Sequence, residues 1–362
     1  MQIIQDRRAL HRIPELDRDL SRTLAYLQSS LEDLNCRVFS PTPHSLCAFF
    51  DFGKLDAIAF RADMDALPIT EKTGLSFAST HPGKMHACGH DGHMAIVLEL
   101  ARRLSIKKGL AHNVLLVFQH AEETTGGAKE ICESGVFARY HVSAIFALHL
   151  WPGQGAGILS SRPGGMMCRS SEVDIDITGK SVHIAKATQG LDATAAAAML
   201  FLKAAQLESS LPEDVFRVLK FGKLESGTVR NAVSGHARLE GSLRACEDCV
   251  FDSLRDGLLA IGREVEDATG CTVRIRLNEG YPAVTNPPDL YEKVKKTVDF
   301  EDLSAPVTIA EDFSWYQKNL PGMFFFLGTG DSPALHTDHF NFDESILVKG
   351  ADFFEKLAEK FQ

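Results

Sequence analysis

The chain has little that would tie it to a membrane, a nucleic acid or an extracellular space. No run of about eighteen apolar residues interrupts its 362 positions, so no segment reads as a membrane span. Basic residues are not in excess: 38 Lys and Arg stand against 48 Asp and Glu, for a net charge of -10. That balance argues against a nucleic-acid footprint. Cysteine occurs at 8 positions without the paired spacing of a disulfide framework or a zinc ribbon. The N-terminal Met1-Gln2-Ile3-Ile4-Gln5-Asp6-Arg7-Arg8 carries no apolar stretch of the secretory kind. The expectation is of free thiols in a reducing cytoplasm. Internal repeats and low-complexity segments are also missing. What is present is an ordinary globular composition, 44% hydrophobic and 24% charged, in a length that suits about two domains.

Chemistry concentrates in His86-Ala87-Cys88-Gly89-His90-Asp91-Gly92-His93. Met94, Ile96, Val97, Leu98, Leu100, Ala101 and Leu104 follow with helical periodicity. The stretch reads as a polar loop feeding a helix, with Asp91 as N-cap or first-turn acid. Cys88 and His90 are two apart and in an extended loop would point the same way. A thiolate and an imidazole at that spacing suit zinc or a similar divalent metal. The bland alternative is a buried cysteine and solvated histidines ahead of an ordinary helix.

Before this motif, helical patterns cover 2–12 and 17–34, broken at Pro14, and strand patterns cover 37–39, 46–52 and 57–61. The last strand is apolar on both faces and runs into Arg61-Ala62-Asp63-Met64-Asp65. After the motif, the apolar strand 113–119 delivers His120-Ala121-Glu122-Glu123, and the apolar strand 144–148 delivers His149. Three strand ends therefore bring Asp65, Glu122/Glu123 and His149 to one edge of a sheet, where open α/β sheets place their chemistry. Glu122-Glu123 could be a solvated acidic turn. Two adjacent carboxylates also allow one to ligate a metal while its neighbour serves as general base. His149 alone could be a satisfied core histidine; beside Cys88, His90 and Glu123 it is better explained as a ligand.

From about Arg169 the pattern changes to alternation, in the order strand, helix, strand, strand, helix, strand. This suits a small ferredoxin-like α+β domain wet on one sheet face. Gly280-Tyr281-Pro282 and Asn286-Pro287-Pro288 mark the return, and the tail resumes the first texture, with Glu311-Asp312-Phe313 opening a further helix. The expected organisation is α/β: a mixed-sheet domain of residues 1–168 and 280–362 into which residues 169–279 are inserted. His183, Asn231, Arg244 and His336 are open on residue chemistry alone. Cys246-Glu247-Asp248-Cys249 has no second pair to complete a zinc site and reads as structural.

Taken together the motifs resemble the dinuclear metal amidohydrolases of the aminoacylase–carboxypeptidase G metallopeptidase family. Within it they resemble the group of hippurate hydrolase, indole-acetyl-amino-acid hydrolase and N-acetyldiaminopimelate deacetylase. The markers run the length of the chain: His11-Arg12-Ile13-Pro14-Glu15, Arg61 to Ile69, Met85 to Met94, and Ala121-Glu122-Glu123. Gly179-Lys180 with His183, Gly227-Thr228 with Asn231, Gly241 with Arg244, Glu311-Asp312-Phe313 and Leu335-His336 follow in order.

The resemblance implies a catalytic domain with an inserted lid that also mediates a homodimer. It implies two divalent metal ions (Mn, Zn or Co) held by Cys88, His90, Glu123, His149 and His336. Glu122 is implied as general base, His183 as the group polarising the scissile carbonyl, and Asn231 and Arg244 as holders of the substrate carboxylate. Asp65 is implied to orient a metal ligand. The implied activity is hydrolysis of a small N-acyl amino acid, or specifically of N-acetyldiaminopimelate. A dipeptidase or carboxypeptidase on the same site, and a non-catalytic binding protein of the same fold, are the other readings. Three departures from the family pattern stand out. His120 replaces a usual Pro, Ile184-Ala185-Lys186-Ala187-Thr188 follows His183, and Thr337 rather than Pro follows His336.

Overall fold

The computed structural model describes residues 1–278 and 280–362. The chain divides into two compact units. The first comprises Met1–Met166, Thr285–Ala305 and Asp312–Gln362; the second comprises Met167–Val284 and Pro306–Glu311. The expected boundary at 279 falls on the one position outside the described residues.

The first unit is built on an eight-stranded mixed sheet. Its order is Arg37–Phe39, Leu46–Phe50, Asn113–Gln119, Ala57–Asp63, Val142–Trp151, Gly322–Gly328, Leu159–Ser161, Glu301–Asp302. The four central strands are parallel to one another, and Ala57–Asp63, Asn113–Gln119 and Gly322–Gly328 are buried along their whole length. Continuous rather than alternating hydrophobicity has this cause: both faces of those strands are covered. The helix His90–Ser105 buries most of its residues and packs against the helices Gln2–His11 and Ile346–Lys360.

The second unit carries a four-stranded antiparallel sheet in the order Thr272–Leu277, Arg169–Thr178, His236–Ala245, Arg217–Ser226. With the helices Ala193–Ser209 and Asp248–Thr269 this is the ferredoxin-like arrangement. Val173, Ile175 and Ile177 point to the core while their neighbours face outward, as period-two patterning requires. Asp192 caps its helix by accepting from Thr194 N and Ala195 N, and Gly270 ends the other in the left-handed conformation, φ 70°.

One local expectation is corrected and another is narrowed. The cysteines are not all free: Cys168 and Cys246 are joined as a disulfide, leaving Cys36, Cys47, Cys88, Cys132, Cys249 and Cys271 as thiols. Antiparallel pairing sets Ala245 opposite Arg169, so the next residue of one strand meets the preceding residue of the other. Sequence spacing cannot show a pairing 78 residues apart. Of the two places open to Asp91, it takes the first-turn one. The cap is Gly89, without a side-chain bond, because the Asp91 carboxylate is engaged by Arg7 Nε at 2.9 Å and His11 Nδ1 at 2.8 Å.

That last contact carries a pH dependence. His11 is fully buried, and its other nitrogen meets Glu71 Oε1 at 3.2 Å. Burial by itself would push the imidazole down, but the bonds and charges of Asp91 and Glu71 win and hold its pKa at about 9. A raised pKa stabilises the fold fully below the unfolded value of about 6.5 and loses that contribution as pH rises through the folded value. Thermal melts should therefore show stability falling on the order of 2–3 kcal/mol between about pH 6.5 and 9.5. His11→Gln should flatten that limb; an unchanged alkaline slope in the variant would exclude His11 as its source.

Candidate metal centre and active site

The strands Asn113–Gln119, Ala57–Asp63 and Val142–Trp151 lie side by side and parallel, so the residues at and beyond their carboxyl ends gather at one edge. Asp65 follows the second by two residues, and Glu122-Glu123 follows the first. His149 lies within the third strand rather than after it.

Asp65 organises this edge. Its Oδ1 accepts from Glu122 N and its Oδ2 from Glu123 N, each at 3.0 Å. Its backbone carbonyl accepts from His90 Nδ1 at 2.7 Å. Burial and the neighbouring Glu123 raise its pKa well above the ordinary carboxylate range, opposed by the two N–H bonds. The Glu turn is strained to fit: Ala121 sits at φ 55°, a region that costs a non-glycine residue energy and recurs at functional sites. Gly127, which starts the next helix, has no room for a side chain, since a Cβ there would lie 2.1 Å from the His120 carbonyl oxygen.

Cys88 and His90 converge for a different reason from the extended loop expected. Gly89 between them is left-handed, φ 84°, and turns the chain directly into the helix that begins at His90. Cys88 Sγ lies 3.4 Å from His149 Nε2 and 3.3 Å from His336 Nε2. His90 Nε2 and His336 Nε2 approach Glu123 Oε1 at 3.7 and 3.4 Å. The donor atoms form the groups Cys88–His90–His149, Cys88–Glu123–His336 and His90–Glu122–Glu123, each within 4.8 Å. One thiol is thus common to two triads. Cys88, His90 and Glu122 are buried, Glu123 is nearly so, and His336 lies at the exposed rim.

The donor chemistry fits two divalent cations. His90 Nε2 and Glu123 Oε1 are buried without a hydrogen-bond partner, a costly condition unless something else satisfies them. His90 Nδ1 faces a carbonyl oxygen, which can only accept, so Nδ1 carries the proton and Nε2 keeps its lone pair. Burial and the charges of Glu123 and Glu122 push the Cys88 thiol well above its ordinary pKa; a thiolate there needs a cation. The neighbouring Glu123 carboxylate shifts His336 up.

Asp63 is a member of this neighbourhood that sequence reading did not single out. It is fully buried, held by Arg61 Nη1 at 2.7 Å, and its Oδ2 lies 3.6 Å from His90 Nε2. The signal was available: Asp63 ends the same buried strand that delivers Asp65. His183, Asn231 and Arg244 belong to the second unit. His183 is exposed and its Nδ1 accepts from Ala185 N at 3.2 Å. Asn231 is exposed next to it, its carbonyl accepting from Ile184 N at 2.9 Å. Arg244 lies on the strand His236–Ala245 and donates to the Thr308 carbonyl at 2.8 Å.

The family model described as peptidase family M20/M25/M40 matches residues 59–360. The chain belongs to that family. It is 34% identical over 366 residues to an N-acetyldiaminopimelate deacetylase of Limosilactobacillus fermentum, covering 97% of this chain and 95% of that one. It is 32% identical over 371 residues to an uncharacterized hydrolase of Staphylococcus epidermidis, covering 98% and 97%. Among solved structures it is similar to a dinuclear metal binding M20 peptidase of Bacillus subtilis, TM-score 0.84 at 28% identity, covering 99% and 96%. The chain is a metal-dependent amidohydrolase of this M20 family, and the mixed α/β architecture is the family's.

A ligand that binds only the folded state stabilises it; at about 100 times its dissociation constant the gain is about 2.7 kcal/mol. Stripping divalent metal with a chelator should therefore lower the melting temperature, and restoring Mn, Zn or Co should recover it. Cys88→Ser should lower the metal bound per chain in elemental analysis; full metal content in that variant would remove Cys88 from the site.

Proposed function

We propose that this M20 enzyme hydrolyses the amide bond of an N-acyl amino acid. The observation that carries the reading is the thiol of Cys88 shared between two ligand triads, beside a Glu-Glu turn pinned by Asp65. Cys88, His90, Glu123, His149 and His336 would hold two divalent ions, Mn, Zn or Co. When bound, such ions lower the pKa of a water towards neutrality and polarise a carbonyl oxygen.

The chain's own residues do the rest. The Glu122 carboxylate takes the proton of the attacking water as its oxygen bonds to the acyl carbon. It then gives that proton to the amide nitrogen as the C–N bond breaks, releasing a carboxylic acid and a free amino acid. His183 Nδ1 accepts a backbone hydrogen bond, so the neutral ring carries its proton on Nε2, the form a carbonyl-polarising donor needs; for that role the support is resemblance. For Asn231 and Arg244 as carboxylate holders, for residues 169–279 as a lid through which a homodimer forms, and for a cytoplasmic enzyme, the support is resemblance. No described helix is long and apolar enough to cross a membrane.

A narrower form of the same reading is deacetylation of N-acetyldiaminopimelate, supported by the name of the Limosilactobacillus relative. Glu122→Gln should lower kcat by 10²–10⁴ or more while metal content stays at the wild-type level. Activity within tenfold of wild type would take the base away from Glu122. Assays of N-acetyl, N-benzoyl and longer acyl amino acids against dipeptides, each with added Mn, Zn or Co, should show turnover of acyl amino acids. Faster cleavage of the dipeptides would move the substrate class.

A further inference from the structure

His149 offers a ligand atom only if its ring is held in one tautomer and one orientation, and the bonds that hold it lead to a residue without an assigned role. The neighbouring strand Ala57–Asp63 last pairs with the His149 strand at Arg61–Ala147. Beyond that pair the backbone of Leu150 has no ladder partner on that side. His93, one helical turn past His90, replaces the missing strand: Leu150 N donates to His93 Nε2 at 2.9 Å. The same residue's other backbone polar group, the Leu150 carbonyl oxygen, accepts from His149 Nδ1 at 2.7 Å. On its far side the His93 ring meets Asp63 Oδ1 through Nδ1 at 2.6 Å, and Asp63 is anchored by Arg61 at 2.7 Å.

Backbone groups have fixed polarity, and this settles every proton in the relay. An N–H can only donate, so His93 Nε2 is bare and its proton is on Nδ1, directed at the Asp63 carboxylate. A carbonyl can only accept, so His149 carries its proton on Nδ1 and leaves the Nε2 lone pair aimed towards Cys88, 3.4 Å away. The His93 ring also packs edge-on against His149, centroids 4.6 Å apart. Both nitrogens of His93 are therefore committed, and it is not available as a ligand itself.

We propose that His93 is a positioning residue: through the backbone of Leu150 it fixes the tautomer and the aim of His149, with Asp63 and Arg61 as its anchor. This rests on the metal site proposed above. Outer partners of this sort typically change metal affinity 10–100-fold when removed.

Two substitutions separate the relay from simple packing. In His93→Gln the amide oxygen can still accept from Leu150 N; in His93→Asn the shorter amide can reach Asp63 but leaves Leu150 N without an acceptor. Metal-free wild type and both variants would be titrated with Co(II) against a competing chelator, following the thiolate-to-cobalt absorption of Cys88, with melts of the metal-free proteins alongside. His93→Asn should bind Co(II) at least about tenfold more weakly and alter the thiolate band, while His93→Gln stays within about threefold of wild type. Equal affinity and an unchanged band in His93→Asn would overturn the proposal, as would His93→Gln binding no better than His93→Asn, whatever the melts show. Should wild type itself take up no Co(II) with a thiolate band, the metal site fails first; uptake by wild type with an indifferent Asn variant defeats the His93 role alone.

Discussion

A guanidinium sealed inside the central strand is the constraint on which this structure turns. Arg61 is almost fully buried in a strand whose seven residues are all buried, and a charge there persists only if its partners are built around it. It is met by Asp63 at 2.7 Å, Asp312 at 3.0 Å and Gln119 Oε1 at 2.8 Å. Asp312 in turn accepts from Gln119 Nε2 and from Ala128 N at 3.0 Å, and Tyr316 OH donates to Gln119 at 2.9 Å. The network joins the carboxyl ends of two strands, the start of a helix and the turn before Ser314. Removing one member would strand a buried charge, so the strand ends cannot drift apart cheaply.

Upon that anchored edge the acids accumulate. Asp63, Asp65, Glu122, Glu123 and the Cys88 thiol occupy one buried neighbourhood, with Arg61 as the cation paired to Asp63. Asp65 responds by rising well above its ordinary pKa, and Cys88 likewise. Asp63, next to Arg61 and two histidines, is drawn down despite its burial. A pocket so rich in oxygen and sulfur donors, with histidine lone pairs turned inwards, is the electrostatic counterpart of bound divalent cations. Strain at Ala121, at φ 55°, and the lack of space at Gly127 show how closely the backbone is fitted to bring two adjacent glutamates there.

Much of this was legible before any coordinates. Long apolar runs at 57–61 and 113–119 announced buried parallel strands, and polar residues immediately after them announced the edge where chemistry gathers, since parallel strand ends converge. Alternation in Ser171–Thr178 announced the second, half-wet sheet. Other features were not legible, for identifiable reasons. Sequence left Asp91 as N-cap or first-turn acid; that it is the latter, with its carboxylate bound by a buried arginine and histidine, depends on residues about eighty positions away. The Cys168–Cys246 bond depends on strand register. His93 looked like one more histidine of a cluster, because its bond to Leu150 N follows from the neighbouring strand ending its pairing early.

From sequence alone came the residue chemistry and its order along the chain: a thiol, imidazoles and carboxylates, each following a segment whose periodicity fixes where it leaves the sheet. Those are local properties, carried by side-chain type and by backbone period. Tertiary structure alone decided which of these groups share one neighbourhood, which nitrogen of His90, His93 and His149 keeps its lone pair, and that Cys88 stands between two triads. Proximity between residues separated by more than two hundred positions is set by the register of the sheet and by the need to pair every buried charge, and neither is written in any single segment.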